Sequence, residues 1–458
     1  MKKTKMCIIL TLSLLLFMGT ATFSIAAPQK ANAVKKGPAK TTANESTRDT
    51  RELFGHNVDG LAPVTLVYAG DGVHNSLGDV LVVNLVKLIE AESKGKIKFD
   101  LHRYGSLYKS NDLPKVIPIG TVHVGGINKG LLMSRENGYA PWIIGYVWKN
   151  PEHLMALACS KEWYELEDRL AKGKWNLKPL VSANMGNWDY WSKTRIKSMK
   201  ELRGKKIWSY GELSNAYIAA WGGTPVMKSF GETYMAFYNG SINVISSSIG
   251  LFHDYRFYEG GKYYLNMPIY PPDSVGIHYF QIYMNRDKWN SLHENYKRII
   301  LDAFDLMSWT GTYEGLCMQK LNIYRLINQH GVTDVGIATK YPAEYEKLKK
   351  AAVEGGKRYV LKHGVTQQQW DETQATLNKF ADPKITSQYS WWFNLVRAES
   401  ARRVNLIKKA LAEGKSWETA YDQFHPKHRY NWTAEQIKKE WTASPRVKWE
   451  WDEKTRLQ

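Results

Sequence analysis

His425 and His428 stand three residues apart, a spacing that can bring two imidazoles to one metal ion. Pro426 between them and the basic neighbours Lys427 and Arg429 argue for a solvated turn instead. His363 has no cluster of partners either. Cys159 and Cys317 carry no local signature of a nucleophile, and they can pair in an oxidising compartment. Gly70-Asp71-Gly72 is too short for a phosphate cradle. The chain has no G-x-S-x-G, no H-E-x-x-H, no Walker loop and no G-x-G-x-x-G after a strand. Asn431-Trp432-Thr433 matches a glycosylation pattern common by chance. The sequence points to no enzyme, no metal and no cofactor.

The unusual material is aromatic. Among 458 residues there are 18 tryptophans and 27 tyrosines. A formal net charge of +19 makes nucleic acid an obvious partner. Two features argue against it. The 44 acidic residues are mixed among the 63 basic ones, and the chain opens with an export signal.

That signal is Lys2, Lys3 and Lys5, an apolar run from Met6 to Met18, and small residues at Ser24-Ile25-Ala26 and Ala31-Asn32-Ala33. The run is shorter than the roughly 20 residues of a spanning helix. Cys7 lies inside it, so a lipid-anchored cysteine is not expected. Cleavage of 1–27 would place the mature protein in the periplasm and lower its charge to about +16. Residues 28–62 read as a flexible linker.

Ordered structure is expected from Val64. Val64 to Tyr68 reads as a strand, and Leu77, Leu81, Leu85 and Leu88 as one face of a helix closed by Gly95. Ile97, Phe99 and Leu101 alternate like a half-buried strand. Strand, helix, strand predicts a parallel α/β sheet. Ser198 to Glu201 and Ser229 to Glu232 have capping-box spacing, and Gly240 sits where a left-handed cap belongs. Lys206 to Tyr210 and Ser241 to Ser246 read as further strands. A helical pattern from a Ser291 cap runs to Gly331, with Gly311 and Gly315 as candidate bends. Residues 384–458 hold 15 basic and 9 acidic residues and seven of the tryptophans, with helical signals only. They read as a helical appendage facing a membrane surface or an acidic partner.

Several segments in order resemble the periplasmic solute-binding receptors of TRAP transporters, the dicarboxylate-receptor type. They are Glu92 to Ile97, Tyr104 to Leu107, Val116 to Val122, Ile196 to Ile207, Trp221 to Val226 and Phe230 to Gly240. Tyr258 to Tyr263 and Asn285 to Trp289 also fit. The resemblance covers roughly 63–365. It implies an α/β fold of two lobes, each a sheet flanked by helices, with a long helix crossing both and hinge closure on a solute. Lobe I would comprise 63–185 and 275–305, lobe II 186–274 and 306–383, and the extension 384–458. It also implies delivery of a small solute to TRAP membrane permease subunits.

The departures define the expected site. The family's arginine on the strand after the Gly204-Lys205-Lys206-Ile207 segment, and a second one upstream, grip a carboxylate with paired charge-assisted bonds. Here Trp208 and, in approximate register, Trp188 stand at those positions. Asn243 replaces a family acid. With Trp191 and Tyr210, the two tryptophans would form an aromatic box for a cation or a stacked ring. His74 and Asn75 begin the first helix, with solute contact or capping as readings. Glu232 reads chiefly as a cap, Ser246 as a hydroxyl donor, and Asp71 as a turn residue or a partner for a cation. The leading expectation is a receptor for something other than a simple dicarboxylate. The alternatives are an exported ligand-sensing or scaffold protein that partners a membrane sensor and, last, a periplasmic enzyme.

Overall fold

The computed structural model describes residues 47–458 except 73, 129–131, 133–136, 174, 184–187, 210, 229, 272–279 and 452. The proposed signal segment therefore lies outside the described residues.

Strand β1 (Val64–Ala69) buries Leu66 and Tyr68 on one face. The chain turns into the first helix (Leu77–Glu92), where Ser76 caps the end by accepting the Asp79 N–H at 3.3 Å. Leu81, Leu85 and Leu88 are buried. Gly95, at φ +73°, sends its N–H back to Glu90 O and ends the helix. Strand β2 (Ile97–His102) then pairs parallel to β1 from Val64↔Ile97 to Ala69↔His102.

With β3 (Val124–Asn128), β4 (Leu177–Ala183) and a later strand, these form a five-stranded mixed sheet. The second sheet takes β5 (Trp188–Ser192), β6 (Lys206–Ser209), β7 (Thr224–Met227), β8 (Val244–Ser248), β9 (Tyr263–Tyr264) and a last short strand. In it β6 runs parallel to β7 and β8, and β5 antiparallel to β8. The chain then returns to the first sheet as β10 (Phe280–Asn285), between β3 and β4. After one long helix it closes the second sheet with β11 (Thr333–Asp334).

That long helix runs unbroken over Glu294–Asn328, about 52 Å at 1.5 Å per residue. Its N-cap is His293, not Ser291, whose hydroxyl bonds Lys288 O instead. Gly311 is not a break. A Cβ there would come within 2.7 Å of Leu81 Cδ1, so the glycine lets two helices approach closely. Cys159 and Cys317 are both buried and unpaired with each other.

Residues 47–62, expected as part of a flexible linker, are packed. Phe54 and Val58 are buried, the Phe54 N–H donates to Asp302, and Arg48 bridges to Val447. Apolar side chains and a backbone bridge hold this stretch against the long helix and the C-terminal end.

The C-terminal residues form helices at Ser390–Ala412, Trp417–Asp422 and Ala434–Ala443 that pack on the body. Thr433 and Gln436 complete a reciprocal capping box. Trp392, fully buried, meets Trp309 of the long helix edge-on and donates its N–H to Pro445 O. Trp449 also packs on Trp309, and Trp451 stacks on Tyr164. Arg403 grips Glu314 through two bonds of 2.9 Å, and Arg456 grips Asp305 at 2.5 and 2.7 Å. These arginines of the basic extension find their acidic partners on the long helix.

Candidate functional site

Carboxyl ends of strands in both sheets face one cavity of about 460 Å³. This is where open α/β sheets present ligand-binding loops. From the first sheet come the Gly70–Gly72 turn after β1, Arg103 after β2, Asn75 just before the first helix, and Asp79 and Leu81 within it. From the second come Trp188, which opens β5 opposite Ser248, and Trp208 and Ser209, which end β6. The long helix lends Met307, Gly311, Met318 and Asn322.

Trp188 and Trp208 thus both border the cavity, but set into its wall, at 2% and 1% exposure. The Trp208 Nε1–H donates to Lys228 O at 3.0 Å, so the indole N–H is committed to the backbone. Trp191 lies three residues after Trp188, on the opposite face of the strand. It is stacked between Phe252 at 3.8 Å and Tyr264 at 4.3 Å and does not line the cavity. Tyr210 lies outside the described residues. Of the three described aromatic residues, the structure brings two, Trp188 and Trp208, to the cavity wall.

Asn243 lies at the amino end of β8, away from the cavity. Its side chain accepts the Lys206 N–H at 2.9 Å and ties β8 to β6. Ser246 is fully buried inside β8 and is not part of the lining. His74 is exposed, with Nδ1 2.8 Å from Tyr104 Oη, and does not reach the lining. Asn75 does, at φ +65°, its N–H shared between Tyr430 Oη and Asp79. Glu232, in the first turn of the helix Phe230–Tyr238, borders the cavity and is exposed. Asp71 borders it too and accepts the Ser110 N–H at 2.9 Å.

Other lining groups were not singled out from sequence. Asp79, 5% exposed, receives Arg103 at 3.0 Å and the hydroxyls of Tyr104 and Tyr430. Its serine-x-x-aspartate spacing from Ser76 is a capping signal that could have drawn attention to it. Among the described residues, Asp254 adds a fourth acidic group to Asp71, Asp79 and Glu232, against Arg103 and Lys228. Burial pushes the Tyr68 and Tyr255 hydroxyls well above their ordinary pKa, so both stay protonated donors. Tyr421 and His425 of the extension also line the cavity. No local pattern marks them, because their neighbours there are distant in sequence.

Comparison with known families matches residues 74–353 to the bacterial extracellular solute-binding protein family 7, DctP. The chain belongs to this family. Its members bind solutes, as do the solved structures of the same fold. A Shewanella oneidensis TRAP periplasmic solute-binding protein with bound succinate is 14% identical (TM-score 0.61, covering 69% of this chain and all of that one). A Bordetella pertussis extracytoplasmic receptor binding pyroglutamic acid is 13% identical (TM-score 0.58, 68% and 99%). A Sulfitobacter protein with bound β-D-galacturonate is 14% identical (TM-score 0.59, 69% and 99%). Curated proteins give no match. The receptor is thus an α/β solute-binding protein of the extracytoplasmic type and not an enzyme. Among its described residues no helix is long and apolar enough to cross a membrane.

Proposed function

We propose that this receptor is exported by a cleaved signal peptide, captures a small solute in the cavity and hands it to a TRAP-type membrane permease. The solute is a cation with an apolar body, not a simple dicarboxylate. One observation carries this reading: the balance of charge in the lining. Among the described residues, four acidic side chains line the cavity against two basic ones, and Arg103 is committed to Asp79 at 3.0 Å. A dicarboxylate needs uncommitted paired donors of the guanidinium kind. The residues at the two arginine positions inferred from the family resemblance, Trp188 and Trp208, are uncharged indoles buried in the cavity wall instead. The three neighbours named above bind acids, so the difference lies in side chains and not in the fold.

The test is native mass spectrometry of the purified receptor for a retained solute, followed by a thermal-shift panel of ammonium compounds, sugars and dicarboxylates. Ligand at about 100 times its dissociation constant adds roughly 2.7 kcal/mol of stability. A panel in which dicarboxylates alone raise the melting temperature overturns the proposal. Trp208→Ala is expected to weaken binding of the responding compound about tenfold, and unchanged affinity removes the aromatic contact from the reading. A second reading, a receptor that signals to a membrane sensor, rests on the extension beyond residues 74–353. Solute uptake by vesicles holding the permease separates the two.

A further inference from the structure

Tyr421, His425 and Pro426 border the same cavity as Trp188 and Trp208, although they lie outside the family match of 74–353. Their segment is built into the molecule. Tyr421 is 2% exposed, and its hydroxyl donates to Asn322 Oδ1 of the long helix at 2.5 Å. The Arg325 guanidinium covers its ring at 4.2 Å, and the His253 ring lies 5.5 Å away. Nine residues on, Tyr430 bonds Asp79 and accepts the Asn75 N–H at 3.1 Å, and Lys87 donates to Trp432 O at 3.1 Å. The segment therefore reaches from the helix Ile249–Asp254 beside the second sheet to the first helix beside the first.

We propose that this segment is a wall of the solute site, with Tyr421 and His425 contacting the cationic head of the solute beside Asp254. The inference rests on the reading of the cavity as the solute site. It places part of the receptor's specificity in residues that the family fold does not supply. The local chemistry fits a cation. Asp254, whose Oδ1 lies 3.0 Å from His253 Nδ1, provides an acidic group, Tyr421 a phenol whose ring the Arg325 guanidinium already covers, and Asn322 and Gln319 amides. His425 Nδ1 accepts the Lys427 N–H at 3.1 Å, which leaves the ring proton of the neutral form on Nε2. Burial, outweighing Asp254, pushes its pKa down to about 4, so it adds no opposing charge near neutral pH.

Cys159 and Cys317 are buried, so a thiol introduced at 425 is the reactive one. The full mature chain carrying His425→Cys is treated with two methanethiosulfonates, one ending in trimethylammonium and one in sulfonate. Rates are read by intact mass and referenced to those on 2-mercaptoethanol. We expect a single adduct, with the cation favoured at least tenfold, and less than threefold preference at Lys427→Cys. Equal referenced rates, a sulfonate preference or an unreactive thiol at 425 overturns the wall. Benzyltrimethylammonium is then titrated into wild type, His425→Ala and Tyr421→Phe. At least threefold weaker binding in the His425→Ala variant supports contact, and equal binding in both variants overturns it. Failure of wild type to bind this probe refutes the cationic head. If wild type also retains no solute and answers no compound of the panel, the solute reading itself fails, whatever the labelling shows.

Discussion

In the body of the receptor, Trp188 and Trp208 sit at strand ends on the rim of a cavity. In the extension, Trp392 and Trp441 are fully buried, Trp392 against the long helix, and Trp449 and Trp451 stack on each other and on Trp309 and Tyr164. The same side chain borders a binding space in one region and fastens a layer in the other. An indole buries roughly 150–250 Å² wherever it is enclosed. Its role therefore follows from what lies on the far side of the ring, and a high tryptophan count alone does not indicate a ligand. Buried charge is also held in two ways. The extension pairs it with charge, Arg403 on Glu314 and Arg456 on Asp305. The body does the same at Asp79 with Arg103, but it holds Asp189 by backbone N–H groups and the Tyr264 hydroxyl, with no cation bonded to it among the described residues.

The largest test of this contrast is Trp392→Ala. It should cost about 3–5 kcal/mol in urea unfolding, the range for emptying a large aromatic site. Hydrogen exchange should show Ser390–Ala412 losing protection before the sheets do. Equal loss in both would make extension and body one cooperative unit and erase the contrast.

Next is Arg456→Ala, which leaves Asp305, 2% exposed, with the 3.3 Å contact from Arg51 among the described residues. The expected cost is about 3 kcal/mol, the low end for a broken buried pair. Lys94→Ala, which breaks an exposed pair with Asp59, should cost less than about 1 kcal/mol in the same assay.

The smallest effect is in pH dependence. Burial raises the Asp189 carboxyl to about 7 despite its hydrogen bonds, against about 3.9 in the unfolded chain. Between those values the folded state binds more protons, so stability rises as pH falls from about 7 to about 4. Burial alone would raise Glu314 as well, but Arg429 and Arg403 outweigh it and hold its pKa below the ordinary value. Below about 4.3 the unfolded chain therefore binds more protons at this site, and the contribution of Glu314 is lost as pH falls through its folded pKa. Asp189→Asn should flatten the upper limb of a midpoint-against-pH curve and leave the lower limb intact.

Much of the fold was legible because its signals are local. Gly95 and Gly240 end helices with positive φ, and alternating apolar residues mark β1 and β2. The long helix was legible to within a turn. Its cap was not, because Ser291 bonds the carbonyl of Lys288 in the preceding short helix. The site was less legible. Trp188 and Trp191 look alike in sequence, and strand alternation sends them to opposite faces. Asn243 lies in the right strand at the wrong end.

By itself the sequence determined the class of fold, the order of its elements and the two tryptophans where the resemblance implied arginines, since caps, periodicity and residue identity are properties of near neighbours. Only the tertiary structure decided which side chains share the cavity. Asp79 and Tyr430 are 351 positions apart, as Arg403 and Glu314 are 89 apart. Contacts of that kind depend on how helices and sheets pack, and on Gly311 letting one helix lie close to another, so no local pattern of residues encodes them.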